Sequence, residues 1–187
     1  MKKRYTYKLS DTFLTAENPA KEGDMQEVEG LMSFSLPDVE AGSEEVSGHS
    51  GLMGTLELVD WTNIGALNTT LTFAGIPDNI DFLTRPGVHL AKLTWAEAYT
   101  TKDGDEGWNA YQVETRMKLK KFPGGDGEKG SNRENEFVFT NLTYIFRKGT
   151  GEPGNFNTIF NYDPANGIIE FNGENIAKDL DKLLGRQ

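Results

Sequence analysis

The sequence of 187 residues contains no cysteine. That single absence excludes disulfide staples, thiolate nucleophiles and cysteine-type zinc sites. Histidine is nearly as scarce. His49 lies in a Gly/Ser-rich stretch and His89 alternates within a strand-like segment, and neither has a second His at ligand spacing. They read as a solvated loop residue and a half-buried strand residue. No run of about 18 apolar residues exists, so nothing in the sequence reads as a membrane-crossing helix. The opening MKKRYTYKLSD is basic but has no apolar region behind it. No secretory signal is therefore expected, and the product is expected to stay where it is made. In that setting the Asn-x-Thr triplets at Asn68 and Asn141 carry no glycan meaning.

Bases are missing where acids collect. Residues 1–8 hold Lys2, Lys3, Arg4 and Lys8 with no acid, whereas residues 9–60 hold twelve Asp or Glu against Lys21 alone. With a net charge of -10, the surface is not one that captures nucleic acid by counterion release, which needs clustered Lys and Arg. It suits a surface that must not adhere to one, or one kept soluble by its charge. The hydrophobic fraction of 36% and the 21 glycines are enough for one folded domain over 1–187.

The motifs that would carry chemistry fail on inspection. GGDGEKGS has Lys-Gly-Ser where a phosphate loop needs Gly-Lys-Ser/Thr at a helix start, and a strand-like segment follows instead. KDGDEGWN gathers Asp103, Asp105 and Glu106 but lacks the distal bidentate Glu of a calcium loop, so it reads as a hairpin turn. Glu44 and Glu45 sit in a stretch too irregular for preorganised acid–base work. No enzyme, cofactor or metal is expected.

Strict alternation is the dominant pattern. In NAYQVETRMKLKK, Tyr111, Val113, Met117 and Leu119 share one face, and Gln112, Glu114, Arg116, Lys118 and Lys120 the other. ALNTTLTF and TLELV repeat this. EFVFTNLTYIF places Phe137, Phe139 and Ile145 on one face and Val138, Leu142, Tyr144 and Phe146 on the other, which reads as a strand covered on both sides. With further candidates at Glu27–Leu36, Val88–Tyr99, Asn157–Tyr162 and Ile168–Phe171, the expected fold is mainly β, an antiparallel sandwich or barrel. One short internal helix is expected in IPDNIDFLTRPG, with Pro77 in its first turn, Ile80 and Leu83 on one face and Pro86-Gly87 as its stop. A C-terminal amphipathic helix is expected after Asn172-Gly173, with Ile176, Leu180, Leu183 and Leu184 on its stripe.

Long connections remain. Segments near 16–26, 38–54 and 122–135 offer little apolar periodicity, and ordering such a stretch costs about 1–2 kcal/mol per residue. Leaving one mobile costs far less, because loop closure grows with the logarithm of length. Three of them in a small β domain read as extended arms that become ordered against something else. A rival reading starts from Trp61, Trp95 and Trp108. Together they would make a sugar-stacking platform on a carbohydrate-binding sandwich, but Trp95 alternates within a strand and Trp108 borders a turn, which favours packing.

The order of segments resembles the major tail tube proteins of contractile-tail bacteriophages, a family that includes the tubes of phage-like bacteriocins. The resemblance is carried by TFLT, then MSFSLPDVE and its Gly-rich arm AGSEEVSGHSGLMG, then LTFAGIPDNIDFL, the strand pair ending in YIFRKG, and NTIFNYDPANGIIEFNGENIAKDLDKLLG. It implies a virion subunit, made in the host bacterial cytoplasm, that forms hexameric rings stacked into a tube. Sheath, baseplate and tail terminator proteins would be its partners, and DNA would pass through the lumen without specific binding. On that reading Asp38, Val39, Glu40, Glu44, Glu45, Val46, Leu52 and Met53 form an arm reaching the adjacent ring. Gln112, Glu114, Arg116 and Lys118 are the candidate lumen-facing strand.

Overall fold

The computed structural model describes residues 5–46, 56–101, 103–124, 133–152 and 154–176. Alternation builds it. β1 (Tyr5–Glu17), β7 (His89–Thr101), β8 (Glu106–Lys121) and β9 (Glu134–Gly149) are long neighbouring strands, joined on the far side of β9 by β10 (Phe156–Asp163), β11 (Ile168–Phe171) and β12 (Glu174–Asn175). Every pairing recorded is antiparallel, as their register shows, running for example from His89↔Met117 to Thr100↔Glu106 between β7 and β8. The first half of β9 pairs instead with β6 (Asn68–Ala74), which pairs with β3 (Leu31–Ser35). β2 (Met25–Glu27) lies on β1. The stretch between β2 and β3 then crosses the open side. Val28 N–H donates to Leu14 O at 2.8 Å, and Ala74 N–H donates to Gly30 O at 2.9 Å. The sheet thus curls into a sandwich without closing as a barrel.

Two apolar zones fill the curl. Leu14, Leu71, Phe73, Leu83, Leu93, Val113, Met117, Phe137 and Phe139 are buried in the first, where Phe73 meets Phe137 edge-on with centroids 5.7 Å apart. In the second, Trp95 stacks on Tyr111 at 5.4 Å and touches Phe34 at 5.2 Å and Phe146 at 6.0 Å. Phe160 and Phe171 continue it, 4.8 Å apart.

β9 departs from the doubly covered strand expected of it. Asn135, Phe137, Phe139 and Asn141 are buried, then the phase changes and Tyr144 is buried. The cause is a β-bulge. Met117 pairs with Asn141 but Arg116 with Thr143, so Leu142 has no partner and lies 38% exposed. One inserted residue turns every later side chain over.

Two of the three expected arms contain ordered backbone. Residues 18–24 are a hydrogen-bonded turn, not a structureless run. Asn18 N–H donates to Asp24 O at 2.8 Å, Gly23 N–H donates to a Glu17 carboxylate oxygen at 2.6 Å, and Gly23 holds φ of 79°, which glycine tolerates. Within 38–54, Ala41–Val46 is a strand, β4, paired with β5 (Leu56–Ile64) as a separate two-stranded sheet. Residues 47–55, and 125–132 within the loop between β8 and β9, lie outside the described residues. The internal helix α1 spans Asp81–Thr84, later and shorter than expected, with Ile80 and Leu83 buried as the pattern required. After Asn172-Gly173 the chain forms β12 before turning helical at Ile176, and the rest of the expected C-terminal helix lies outside the described residues.

Candidate functional site

The hairpin β4–β5 stands on a root of three apolar residues. Val39 and Ile64 pack against the core, and Trp61 meets Phe171 of β11 edge-on at 4.8 Å and 71°. Val39, expected in the projecting arm, therefore belongs to the body. Above the root the pairing jumps. Ala41 faces Ile64 but Gly42 faces Asp60, leaving Trp61, Thr62 and Asn63 outside the ladder. Gly42 lies hard against that bulge, where a Cβ would stand 2.9 Å from Asn63 Nδ2 and 3.0 Å from Asn63 O. Only glycine fits without a shift. Beyond it, Ser43 to Val46 pair with Leu56 to Val59 and with no other described strand. Glu44 and Glu45 are in this outer ladder, opposite Leu58 and Glu57. Asp38 and Glu40 are exposed at its foot. His49, Leu52 and Met53 lie outside the described residues.

The polar face of β7, β8 and β9 is the second feature. Glu114 is at its centre, opposite Lys92 on β7 and Ile145 on β9. Its carboxylate accepts from Arg147 Nη1 at 2.8 Å and pairs with Lys92 Nζ at 3.2 Å. Arg147 Nη1 also donates to Gln112 Oε1 at 3.0 Å, and Gln112 Nε2 donates to Thr94 Oγ1 at 3.3 Å. Burial works to raise the Glu114 pKa, but the hydrogen bond and charge of Arg147, then Lys92, outweigh it and hold the carboxyl below its ordinary value. The network borders an open groove of about 540 Å³ lined by Ile145, Arg147, Asn161 and Glu170, where Asn161 Nδ2 donates to Glu170 at 2.9 Å.

At the other end of the face the balance changes. Arg116 and Lys118 are exposed and make no ion pair among the described residues. Lys120 Nζ reaches Asn68 Oδ1 at 3.3 Å, and Lys121 pairs with Glu136 at 3.3 Å with both side chains mostly exposed. The four residues expected to share a face do share it, but Gln112 and Glu114 lie in a charge-compensated network while Arg116 and Lys118 open a cationic ridge.

The remaining candidates fall elsewhere. His89 is buried, its Nε2 2.7 Å from Arg85 O, so it serves the turn after α1. In KDGDEGWN the described residues from Asp103 on belong to a hairpin turn closed by Thr101 N–H to Asp105 O at 2.8 Å. Trp95 is core, Trp61 roots the hairpin, and Trp108 is 67% exposed rather than packed, so no sugar platform forms. Asn141 is buried with its Nδ2 on Thr69 Oγ1 at 2.8 Å, a clamp between β6 and β9.

The described residues thus form a curled antiparallel sheet, a separate two-stranded hairpin and a polar wall beside an open groove. Residues 23–185 match the family described as phage tail tube protein FII. The chain belongs to that family, and its role is that of a structural protein of the tail tube, a component of the virion tail. Among solved structures, a chain of the PVC sheath–tube complex of an extracellular contractile injection system in its extended state is similar. Identity is 14%, TM-score 0.43, with 72% of this chain and 86% of that chain covered. No curated protein matches. Among the described residues no helix is long and apolar enough to cross a membrane.

Proposed function

We propose that this chain is the repeating subunit of the inner tube of a contractile tail, forming hexameric rings that stack into a hollow conduit for DNA during ejection. The sheath surrounds that tube, baseplate and terminator proteins bound its ends, and the subunit is made in the host bacterial cytoplasm. One observation carries the reading: an outer ladder that pairs with no other described strand, on a firm root. An isolated two-stranded hairpin is marginal in water, and its edges offer unpaired backbone groups that a neighbouring copy can satisfy. A contact of one surface with a different surface on the next copy closes into a ring or repeats along an axis. The bore wall, on this reading, includes Gln112 and Glu114. The cations beside them, Lys92 and Arg147, are already paired with the Glu114 carboxylate, which lowers their pull on a passing polyanion.

The test replaces Ala41–Met53 with a short Gly-Ser linker. Trp61 and Ile64 remain, so a folded monomer is expected by circular dichroism and analytical ultracentrifugation, with no tubes in negative stain at concentrations where the parent protein forms them. Normal tubes from this variant would refute the assembly role of the hairpin.

A further inference from the structure

The cationic ridge and the acidic hairpin are matched in charge on one chain. The ridge consists of Arg116, Lys118, Lys120 and Lys121, all exposed, at the C-terminal end of β8. A bulge produces its density. Lys118 pairs with Thr140, Leu119 with Phe139 and Lys121 with Val138, so Lys120 is the extra residue and the polar face receives three lysines where regular alternation would supply two. Around them lie the uncharged Thr70, Thr72, Val138 and Thr140, each half-buried. Glu136 answers Lys121, and nothing described answers Arg116 or Lys118. In a protein of net charge -10 this is an isolated positive area.

The hairpin is the opposite. Asp38, Glu40, Glu44, Glu45, Glu57 and Asp60 lie on its foot and its two strands, and residues 38–60 contain no Lys or Arg. Glu45 and Glu57 are directly opposed across the ladder, and like charges in that position destabilise a strand pair. Within one subunit, Glu114 already has Lys92 and Arg147, and Glu136 reaches Lys121 alone among the four ridge cations in the described ion pairs.

We infer that the acidic hairpin of one copy docks on the Arg116–Lys118–Lys120–Lys121 ridge of the next. The inference rests on the tube-subunit reading and deepens it by naming the receiving surface. It also divides the polar face: the compensated network around Gln112 and Glu114 faces the bore, and the uncompensated end is covered by a neighbour. Opposite charges arranged this way steer encounter and fix register more than they add affinity. Contact through exposed charges is screened within about 3 Å at 1 M salt, so docking weakens as salt rises.

The experiment uses the full chain. Unlabelled and ¹⁵N-labelled protein are mixed, concentrated, imaged by negative stain and treated with a zero-length carbodiimide, which condenses a carboxylate with an amine only where the two touch. Cross-linked peptides are read by mass spectrometry, and the mixed isotope masses identify links between copies. The expected result is mixed-isotope links from the 38–60 peptide to Lys118, Lys120 or Lys121, with tubes in the images. Glu44→Lys/Glu45→Lys is expected to cut these links about tenfold, the size of a loss near 1.4 kcal/mol. Mixing it with Lys118→Glu/Lys120→Glu is expected to yield links from the reversed ridge to the reversed hairpin. Tubes without such links overturn this inference and leave the tube reading standing. Links without tubes support the docking and overturn the tube reading. Absence of both overturns both.

Discussion

At the scale of single residues, Glu114 shows how a polar face becomes a fixed structure. Its carboxylate is shared by Arg147 and Lys92, each on a different strand. Replacing it with glutamine leaves two cations facing a neutral amide, at an expected cost of about 1 kcal/mol at neutral pH. The sign with pH follows from the lowered pKa. A carboxyl held below its unfolded value stabilises the fold above that unfolded value, and the contribution disappears as pH falls through the folded one. The difference between parent and Glu114→Gln in urea denaturation should therefore be full at pH 7 and vanish in acid below the ordinary carboxylate range. A difference that persists unchanged at pH 2 would show that the network is not the cause. Phe137 is fully buried against Phe73, Phe122 and Phe139. Its replacement by alanine is expected to cost about 3–5 kcal/mol in the same assay. Phe137 was legible from alternation alone; the Glu114 partners were not, because β9 reaches β8 through a register no local pattern encodes.

At the scale of elements, the alternating strands could be read directly and the irregularities could not. β8, β6 and β11 follow their apolar phase closely because each lays one face on the core. β4 could not be read because AGSEEV has no apolar alternation; the strand it pairs with, β5, lies well down the chain. The phase change in β9 misled for another reason. A sequence with apolar residues at both parities looks the same whether the strand is covered twice or bulged once. Leu142 distinguishes the two. As the bulged residue at 38% exposure, it should accept serine within about 0.5 kcal/mol. Deleting it should remove the bulge and leave Tyr144 two residues after Asn141, still opposite Thr115 and on the buried face, so the fold should survive. A deletion variant that no longer folds would contradict the bulge. Gly42→Ala tests the other irregularity. Its Cβ would press on Asn63, so the hairpin should leave its root angle while the body keeps its midpoint, and tubes should be lost.

At the scale of the molecule, the chain divides into a body whose strands are buried by one another and a hairpin whose outer ladder pairs with no other described strand. Local stability follows local burial, so the two parts should open independently. In the free subunit the amides of residues 43–46 and 56–59 should exchange with deuterium early, and those of β7 and β8 near the global limit. Assembly changes only the first group. A neighbour that binds the ordered hairpin and not the opened one stabilises it by mass action, about 2.7 kcal/mol when its effective concentration is 100 times the dissociation constant. Protection of the outer ladder should then rise by about 100-fold in tubes, while β7 and β8 change little. Equal protection of both parts in the free subunit would mean that the hairpin is already complete on its own body, and the physical reason for copies to meet there would be gone.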